Sequence, residues 1–250
     1  MATGRTVQKH ARIYITGGDY SSFARSLGPL ICQYDNPDLT TITDEVRGGL
    51  PAHVKLGIGT INIVMHTAVT GAFPSAGAQA VVSVPLGIRA APAAGDPVYN
   101  IYTNWLSADQ YDDGGVSVVN WAFSDWYVAN LINYTKPWGS LIHANSAETA
   151  VNTAIGIDDR GAATSAGGYM VYHIFDGDGT ATLKIQDAAT NTNPSFSDLT
   201  DATTGVITAA AFTSGIIPIA ITATVRRYLR WQIVLGTATT VTFALIFVRI

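Results

Sequence analysis

Residues 241–250 read VTFALIFVRI. Large apolar side chains recur at every second position from Phe243 to Phe247, and the residues between them are apolar as well. Because successive side chains of a strand point to opposite faces, this segment is apolar on both faces. Such a strand is central in a sheet or is covered by a partner. The sequence therefore predicts an all-β protein whose last strand is buried on both sides.

The preceding segment, Val225 to Val234, alternates between apolar and polar residues. A strand with one buried face and one solvated face has this pattern. The predicted apolar face carries Val225, Leu229, Trp231 and Ile233. The predicted polar face carries Arg226, Tyr228, Arg230 and Gln232.

A glycine-rich loop, Asp176-Gly177-Asp178-Gly179, separates two strand-like runs, Tyr169–Phe175 and Thr182–Gln186. Glycine takes positive φ at little cost, so the loop predicts a β-hairpin. Its carboxylates, with Asp187, also suggest a calcium loop, since hard cations bind clustered oxygens. The spacing lacks the third ligand and the later glycine of the EF-hand, which favours a plain turn.

The first half of the chain predicts short strands and one helix, Leu39 to Gly48. That helix would begin after Asp38, which can cap free amide groups, and end before Pro51. A second short helix is predicted at Ala147 to Ala154. The predicted strands are Ala11–Ile15, Gly28–Tyr34, His53–Met65, Ala80–Arg89, Val98–Trp105 and Val116–Ser124.

The stretch Asn133 to Ser140 interrupts the strand pattern with a proline and a glycine, as domain boundaries do. We therefore predict two β-domains, residues 1–140 and residues 141–250, each of ordinary domain size. Residues 1–10 are mostly polar and are expected to form a flexible N-terminal arm that orders only on assembly.

The composition favours self-association over nucleic-acid binding. Charged residues make up 13% of the chain and hydrophobic residues 48%, which leaves a weakly polar surface that burial against sister copies would protect. A net charge of -4 argues against gripping phosphates, which needs clusters of Lys and Arg. An acidic surface would instead let DNA slide past.

The sequence predicts no disulfide, no signal peptide and no membrane-spanning segment. Cys32 is the single cysteine, so no intramolecular disulfide can form. The start, MATGRTVQKH, lacks the apolar core of a signal peptide. The most apolar windows, 206–225 and 241–250, are interrupted or too short to span a bilayer. We expect a soluble protein made in the cytoplasm, with no membrane partner.

Five short motifs lie within the first 65 residues. They are Asp19-Tyr20-Ser21-Ser22, Thr40-Thr41, Glu45-Val46-Arg47, Leu50-Pro51 and Gly59-Thr60-Ile61. Together they resemble the opening of siphophage major tail proteins, the tail tube proteins of tailed phages. In that family a turn around Asp and Ser leads into a strand, followed by a Thr pair, a short helix and a strand that closes on Gly. Val84–Ile88 and Gly95–Tyr99 fit the same family more loosely.

The resemblance implies a tail-tube-like β-sandwich or partial barrel with a short flanking helix. A second, C-terminal β-sandwich domain would follow it, as a further tube-like unit or an external decoration. The family forms rings that stack into a tube through which DNA passes without specific binding. The implied location is the tail of the virion, with other phage tail proteins as partners. Hexameric rings are preferred, and trimeric rings are possible if both domains are tube-like.

Candidate assembly residues come from two sources. The resemblance points to Asp19, Ser21, Thr40, Thr41, Glu45 and Arg47. The polar strand face adds Arg226 and Arg230, which could bind phosphate or pair with a neighbour's acidic loop such as Asp35 and Asp38. The alternative for both arginines is a set of intramolecular salt bridges on a solvated face.

The sequence does not favour an enzyme or a cofactor site. It has no nucleophile elbow, no Cys-His signature and no phosphate-binding loop. Its histidines are scattered without metal-ligand spacing, and His173 is expected to be a packed, neutral core residue. The carboxylate pairs Asp112-Asp113 and Asp158-Asp159 lie beside glycines, as turn aspartates do. No catalytic, cofactor-binding or metal residues are predicted.

Other structural or binding roles stay open. Related folds serve as capsid-decorating, baseplate or head-completion proteins. A cluster of aromatic residues could stack on sugars if they were exposed together, which would make the chain a carbohydrate-binding β-sandwich module. The loop at Asp112 and Asp113 is a candidate lining of a tube lumen. The aromatic residues are Trp105, Tyr111, Trp121, Phe123, Trp126, Tyr127, Tyr134 and Trp138.

Overall fold

The computed structural model describes residues 10–35, 53–64, 77–88, 90–124, 136–158 and 162–250. These residues form strands, turns and loops with no α-helix among them, which confirms the predicted all-β class. The predicted helix at Leu39–Gly48 lies outside the described residues. No helix in the described part is long and apolar enough to cross a membrane.

The strands are numbered in chain order. The first nine are β1 (Tyr14–Ile15), β2 (Gly18–Asp19), β3 (Ala24–Leu27), β4 (Leu30–Asp35), β5 (His53–Ile58), β6 (Ile61–Val64), β7 (Gln79–Pro85), β8 (Pro97–Asp113) and β9 (Val116–Phe123). The others are β10 (Trp138–Glu148), β11 (Ile157–Asp158), β12 (Gly168–Gly177), β13 (Gly179–Ala188), β14 (Ser197–Thr203), β15 (Ile207–Ala209), β16 (Thr213–Ile219), β17 (Tyr228–Leu235) and β18 (Val241–Arg249). A 3-10 turn covers Asn193–Ser195.

The larger sheet joins the two halves of the chain. Its main path is β16-β12-β18-β10-β8-β7-β1-β2, and a branch runs from β8 through β9 and β6 to β3. A second sheet has the order β11-β17-β13-β14, with β15 also paired to β13. Strands β4 and β5 pair with each other. All of these pairings are antiparallel.

Strand β18 is central, as its two apolar faces predict. It pairs with β12 on one side and with β10 on the other. Phe243, Leu245 and Phe247 enter the core between the larger sheet and the second sheet. Ile246 and Val248 enter a smaller core on the opposite face. The sequence pattern is therefore explained by two different cores and needs no partner chain.

A third core lies in the first half of the chain. Trp105 and Trp121 pack there edge to face, with ring centroids 4.7 Å apart, among aliphatic residues from β1, β6, β7 and β9. The larger sheet passes from this core to the C-terminal cores through β10, which pairs with β8 at Trp138–Ser140 and then with β18. The predicted boundary between residues 140 and 141 falls inside that strand. The division into two domains stays a prediction.

The predicted hairpin around Asp176–Gly179 is wrong. Strand β12 pairs with β16 and β18, whereas β13 pairs with β14, β15 and β17 in the other sheet. The loop is therefore a corner between two sheets. Asp178 links this loop to the connection between β17 and β18, because its carboxylate accepts hydrogen bonds from the backbone amides of Thr239 (2.8 Å) and Thr240 (3.3 Å).

The predicted helix at Ala147–Ala154 is also wrong. Strand β10 continues to Glu148, and the following segment has no regular structure up to β11. Asn152 ties this segment to β17, since its amide donates to the Gln232 side chain at 2.8 Å and its carbonyl accepts from that side chain at 3.1 Å. Hydrogen bonds to a neighbouring strand thus replace those that a helix would have made within itself.

Candidate assembly site

The hairpin of β8 and β9 extends beyond the first-half core. Strand β8 was predicted to end at Trp105 but continues to Asp113, after a bulge at Trp105 to Ser107. Residues 106–117 are largely exposed on both faces. Leu106 is 55% exposed, and Tyr111 and Val116 are each 43% exposed. This segment, called here the β8–β9 arm, places apolar side chains outside the three cores that the described residues form.

The tip of the β8–β9 arm is a tight two-residue turn. Gly114 and Gly115 have φ of 65° and 86°, the conformation that the preferred hairpin turn requires and that glycine adopts most easily. The Gly115 amide donates to the Asp112 carboxylate at 2.8 Å. Asp113 pairs with Arg25 of β3, and both side chains are about half exposed. These contacts set the direction of the arm without covering its apolar residues.

The branch of the larger sheet that carries the arm has two open edges. Its strand order is β3-β6-β9-β8. Among the described residues, no strand pairs with the outer edge of β3 or with the outer edge of residues 106–113 of β8. Unpaired amide and carbonyl groups at such edges are ready to pair with another strand. The two edges differ in sequence and lie at opposite ends of one strand order.

A cleft of about 220 Å³ lies beside β3. Residues 11–13, Ser21 and all four residues of β3 line it. The lining combines two arginines, Arg12 and Arg25, with apolar Ile13 and Leu27. The cleft adjoins the open edge of β3, so an added strand at that edge would lie over it.

Asp19 and Ser21, two of the predicted assembly residues, organise the turn that leads into β3. Asp19 accepts hydrogen bonds from the Ser21 amide (3.0 Å) and hydroxyl, and from Asn145 (2.9 Å). The Ser21 hydroxyl oxygen accepts from the Ile13 amide at 2.9 Å. Their contacts are thus intramolecular, and they position one wall of the cleft. Thr40, Thr41, Glu45 and Arg47 lie outside the described residues.

Arg226 and Arg230 both have partners within the chain. The Arg226 guanidinium donates to Asp187 at 2.6 and 3.0 Å, and Asp187 is 2% exposed. Arg230 donates to Gln186, Asn193 and the Ala154 carbonyl. These contacts match the intramolecular alternative for Arg226. Pairing of either arginine across a subunit boundary stays a prediction, and the side chain of Asp35 and all of Asp38 lie outside the described residues.

A series of buried hydrogen bonds connects the two halves of the protein. His173, on β12, is 0% exposed, and its Nδ1 accepts from the Gly17 amide at 3.2 Å. Its Nε2 therefore carries the proton and donates to the Ser83 hydroxyl at 2.9 Å, which donates to Asn100 at 2.7 Å. Burial lowers the pKa of His173 to about 3. The predicted packed, neutral histidine is confirmed, but its partners could not be predicted because they lie on β7 and on the β1–β2 turn.

A second histidine lies near the surface of the C-terminal core. His143 stacks on Phe243 at 4.1 Å and donates from Nδ1 to the Phe243 carbonyl at 3.0 Å. Its Nε2 is 2.9 Å from a Glu148 carboxylate oxygen and 3.2 Å from the Ser146 hydroxyl. Burial lowers the pKa of His143, and Glu148 partly opposes that shift. Both carboxylate and hydroxyl lie at the same ring nitrogen, which is not the arrangement of a nucleophile, a base and an orienting acid.

The predicted aromatic cluster does not form one surface in the described part of the chain. Trp105, Trp121 and Phe123 are buried in the first-half core. Tyr111 is on the β8–β9 arm, and Trp138 is half-exposed at the start of β10 against Tyr99. Trp126, Tyr127 and Tyr134 lie outside the described residues. Among the described residues, no group of three or more His, Cys, Asp or Glu side chains converges as metal ligands would.

Comparison with known proteins gives a weak structural likeness to a phage protein. No protein-family model matches the chain, and no curated protein matches it. Among solved structures, it is similar to the crystal structure of SPP1 Dit, which is described as a paradigm of the hub adsorption apparatus in phages that infect Gram-positive bacteria. The two share 12% identity with a TM-score of 0.32, over 95% of this chain and 98% of that chain. At that TM-score, the role of this chain must be argued from its own residues.

Proposed function

We propose that this chain is a non-enzymatic structural protein of a phage tail that assembles with copies of itself into rings, and that the rings stack into the tail tube. The observation that carries the self-assembly is the β8–β9 arm. Its exposed Leu106, Tyr111 and Val116 lie on β8 and β9 of the β3-β6-β9-β8 branch, outside the three cores that the described residues form. Burial against a second copy would remove these apolar side chains from solvent.

The open edges suggest how the copies meet. The outer edge of β8 in one copy would pair with the outer edge of β3 in the next, and the second copy's cleft would receive the arm. Because the two edges are different surfaces, the contact is head-to-tail, and head-to-tail contacts close into a ring when the rotation permits. Hexameric rings are the preferred product, with trimeric rings as the smaller alternative.

The assignment to a phage tail depends on the sequence resemblance. Asp19 and Ser21 form the turn that the resemblance implies, directly before β3. In a tail tube, the protein would remain intact and let DNA pass without binding it specifically, which suits a net charge of -4. The partners would be further copies and other tail proteins, and the location would be the virion.

Negative-stain electron microscopy of the purified protein across a concentration series tests the proposal. Rings or tubes are expected, and their abundance should rise with concentration. A variant carrying Leu106→Ser and Val116→Ser should stay monomeric where the wild type assembles, since both side chains would leave the interface. Val206→Ser is the matched control, because Val206 is 78% exposed but lies in a C-terminal loop.

Each outcome has a definite meaning. Assembly of the wild type and the control, with loss in the arm variant, would support the proposed interface. Equal assembly of all three proteins would refute the role of the arm. A wild type that stays monomeric but binds preformed phage shells would favour capsid decoration, whereas attachment to other tail components without rings would favour a baseplate or head-completion role.

A further inference from the structure

Arg230 is a buried cation on the second sheet. It is 6% exposed and lies opposite Gln186 of the neighbouring strand β13. Its Nε donates to the Gln186 side chain at 2.8 Å, and its Nη1 donates to the Asn193 side chain at 2.6 Å and to the Ala154 carbonyl at 3.1 Å. The guanidinium lies 4.5 Å from the centre of the Phe196 ring. The group is therefore fixed in position by contacts on several sides.

Its three acceptors are neutral. Other cations of the same sheet region have carboxylate partners: Arg226 pairs with Asp187, and Lys184 pairs with Asp198 at 2.7 Å. No carboxylate among the described residues lies within 4.0 Å of Arg230. A buried charge is costly unless an opposite charge or strong hydrogen bonds compensate it. Burial accordingly lowers the pKa of Arg230, with no opposing effect from a nearby acid.

One nitrogen of the Arg230 guanidinium, Nη2, can still donate hydrogen bonds to a ligand. Nη2 makes no hydrogen bond within the described residues, and it is not among the buried atoms that lack a partner, so it keeps contact with solvent. The Asn193 side-chain oxygen accepts a hydrogen bond from Nη1. The Asn193 side-chain amide nitrogen is then a second donor beside the guanidinium. Asn193 is exposed, so a ligand can reach both groups from solvent.

We infer that Arg230 and Asn193 form a binding subsite for a single oxyanion group, a carboxylate or a phosphate. Because Nε and Nη1 are already used, Arg230 can offer only Nη2, so the anion would contact Nη2 and the Asn193 amide nitrogen and not the two guanidinium nitrogens that are common for arginine. The fixed guanidinium loses little freedom on binding, which favours affinity for a small ligand. This inference is independent of self-assembly.

Isothermal titration calorimetry with sodium acetate and with inorganic phosphate tests the subsite. Arg230→Gln removes the charge, and Lys184→Gln removes an equal charge from the same face of the sheet. We expect Arg230→Gln to weaken binding by about tenfold or more and Lys184→Gln to change it by less than about twofold. Binding of acetate alone would identify a carboxylate ligand, and stronger binding of phosphate would identify a phosphate ligand.

A second measurement needs no substitution, in case Arg230→Gln does not fold. Side-chain ¹⁵N nuclear magnetic resonance of the wild-type protein should show the Arg230 Nη signals shifting with added anion, while those of Arg226 stay in place. The inference is overturned if neither anion binds the wild type, if both variants lose affinity equally, or if the Arg230 signals do not move.

Discussion

Acidification should destabilise this protein through His173. The imidazole is fully buried and neutral, and its pKa is lowered to about 3 by burial, whereas a histidine in the unfolded chain titrates near 6.5. As the pH falls below 6.5, His173 therefore becomes protonated in the unfolded chain but stays neutral in the folded protein. The stability is full above pH 6.5 and is lost progressively between about pH 6.5 and pH 3.

The magnitude follows from the linkage between proton binding and unfolding. Each pH unit below 6.5 costs nearly 1.4 kcal/mol, so lowering the pH from 7 to 5 should reduce the free energy of unfolding by about 2 kcal/mol through this residue alone. His143 adds to the loss because burial lowers its pKa too. Asp178 and Asp198 have lowered pKa values, so they contribute only in more acidic solution.

The assay is urea unfolding followed by tryptophan fluorescence at both pH values, for the wild type and for His173→Gln. The variant should be less stable at either pH, because Ser83 and the Gly17 amide lose their partner. Its loss of stability between pH 7 and pH 5 should nevertheless be about 2 kcal/mol smaller than that of the wild type. Equal losses in the two proteins would refute the assignment of the proton uptake to His173, and the comparison cancels the contribution of His143.

Two further substitutions test local contacts. Tyr99→Phe should lower the free energy of unfolding by about 1–3 kcal/mol and increase amide hydrogen exchange in β4 and β5. The reason is that the Tyr99 hydroxyl oxygen accepts from the Gly57 amide, and its hydrogen lies between the carbonyls of Ile31 and Gly57. Unchanged exchange in β4 and β5 would contradict this expectation. Thr16→Asn should raise the free energy of unfolding by about 1 kcal/mol. Thr16 has φ of 47° in the two-residue turn that it forms with Gly17, and Asn tolerates that conformation better than Thr does. Thermal unfolding with a midpoint no higher than that of the wild type would contradict the second expectation.

The sequence predicts strands well where their side-chain pattern reports burial directly. Strand β18 is apolar on both faces and is central, and β9 lies within one residue of its predicted bounds, Val116–Ser124. The predicted strand His53–Met65 is instead two strands, β5 and β6, which pair with different partners. Gly59 separates them, and a side chain there would collide with Pro29. A local pattern predicts extended backbone, but it does not tell which strand lies alongside.

The same limit explains the wrong hairpin at Asp176–Gly179. A glycine-rich loop is equally suited to a hairpin and to a corner between sheets, since both need backbone with unusual φ or close approach. The choice depends on the partners of the two flanking strands. In β12, Tyr169 and Met170 are both fully buried and point to opposite faces, into two different cores. Within the larger sheet, β12 pairs with β16 on one edge and with β18 on the other. Those neighbours, β16 and β18, come later in the chain.

The use of charge inside the chain bears on how copies would associate. Arg25, Lys184 and Arg226 pair with carboxylates of the same chain, and Arg249 donates to the backbone carbonyls of residues 225 and 226. Charged residues are scarce, at 13% of the sequence, and these four cations already have partners within the chain. In the proposed assembly, the exposed apolar side chains of the β8–β9 arm and the open edges of β3 and β8 would provide both affinity and register. Strand pairing fixes register because a shift of one residue would turn every side chain to the wrong face.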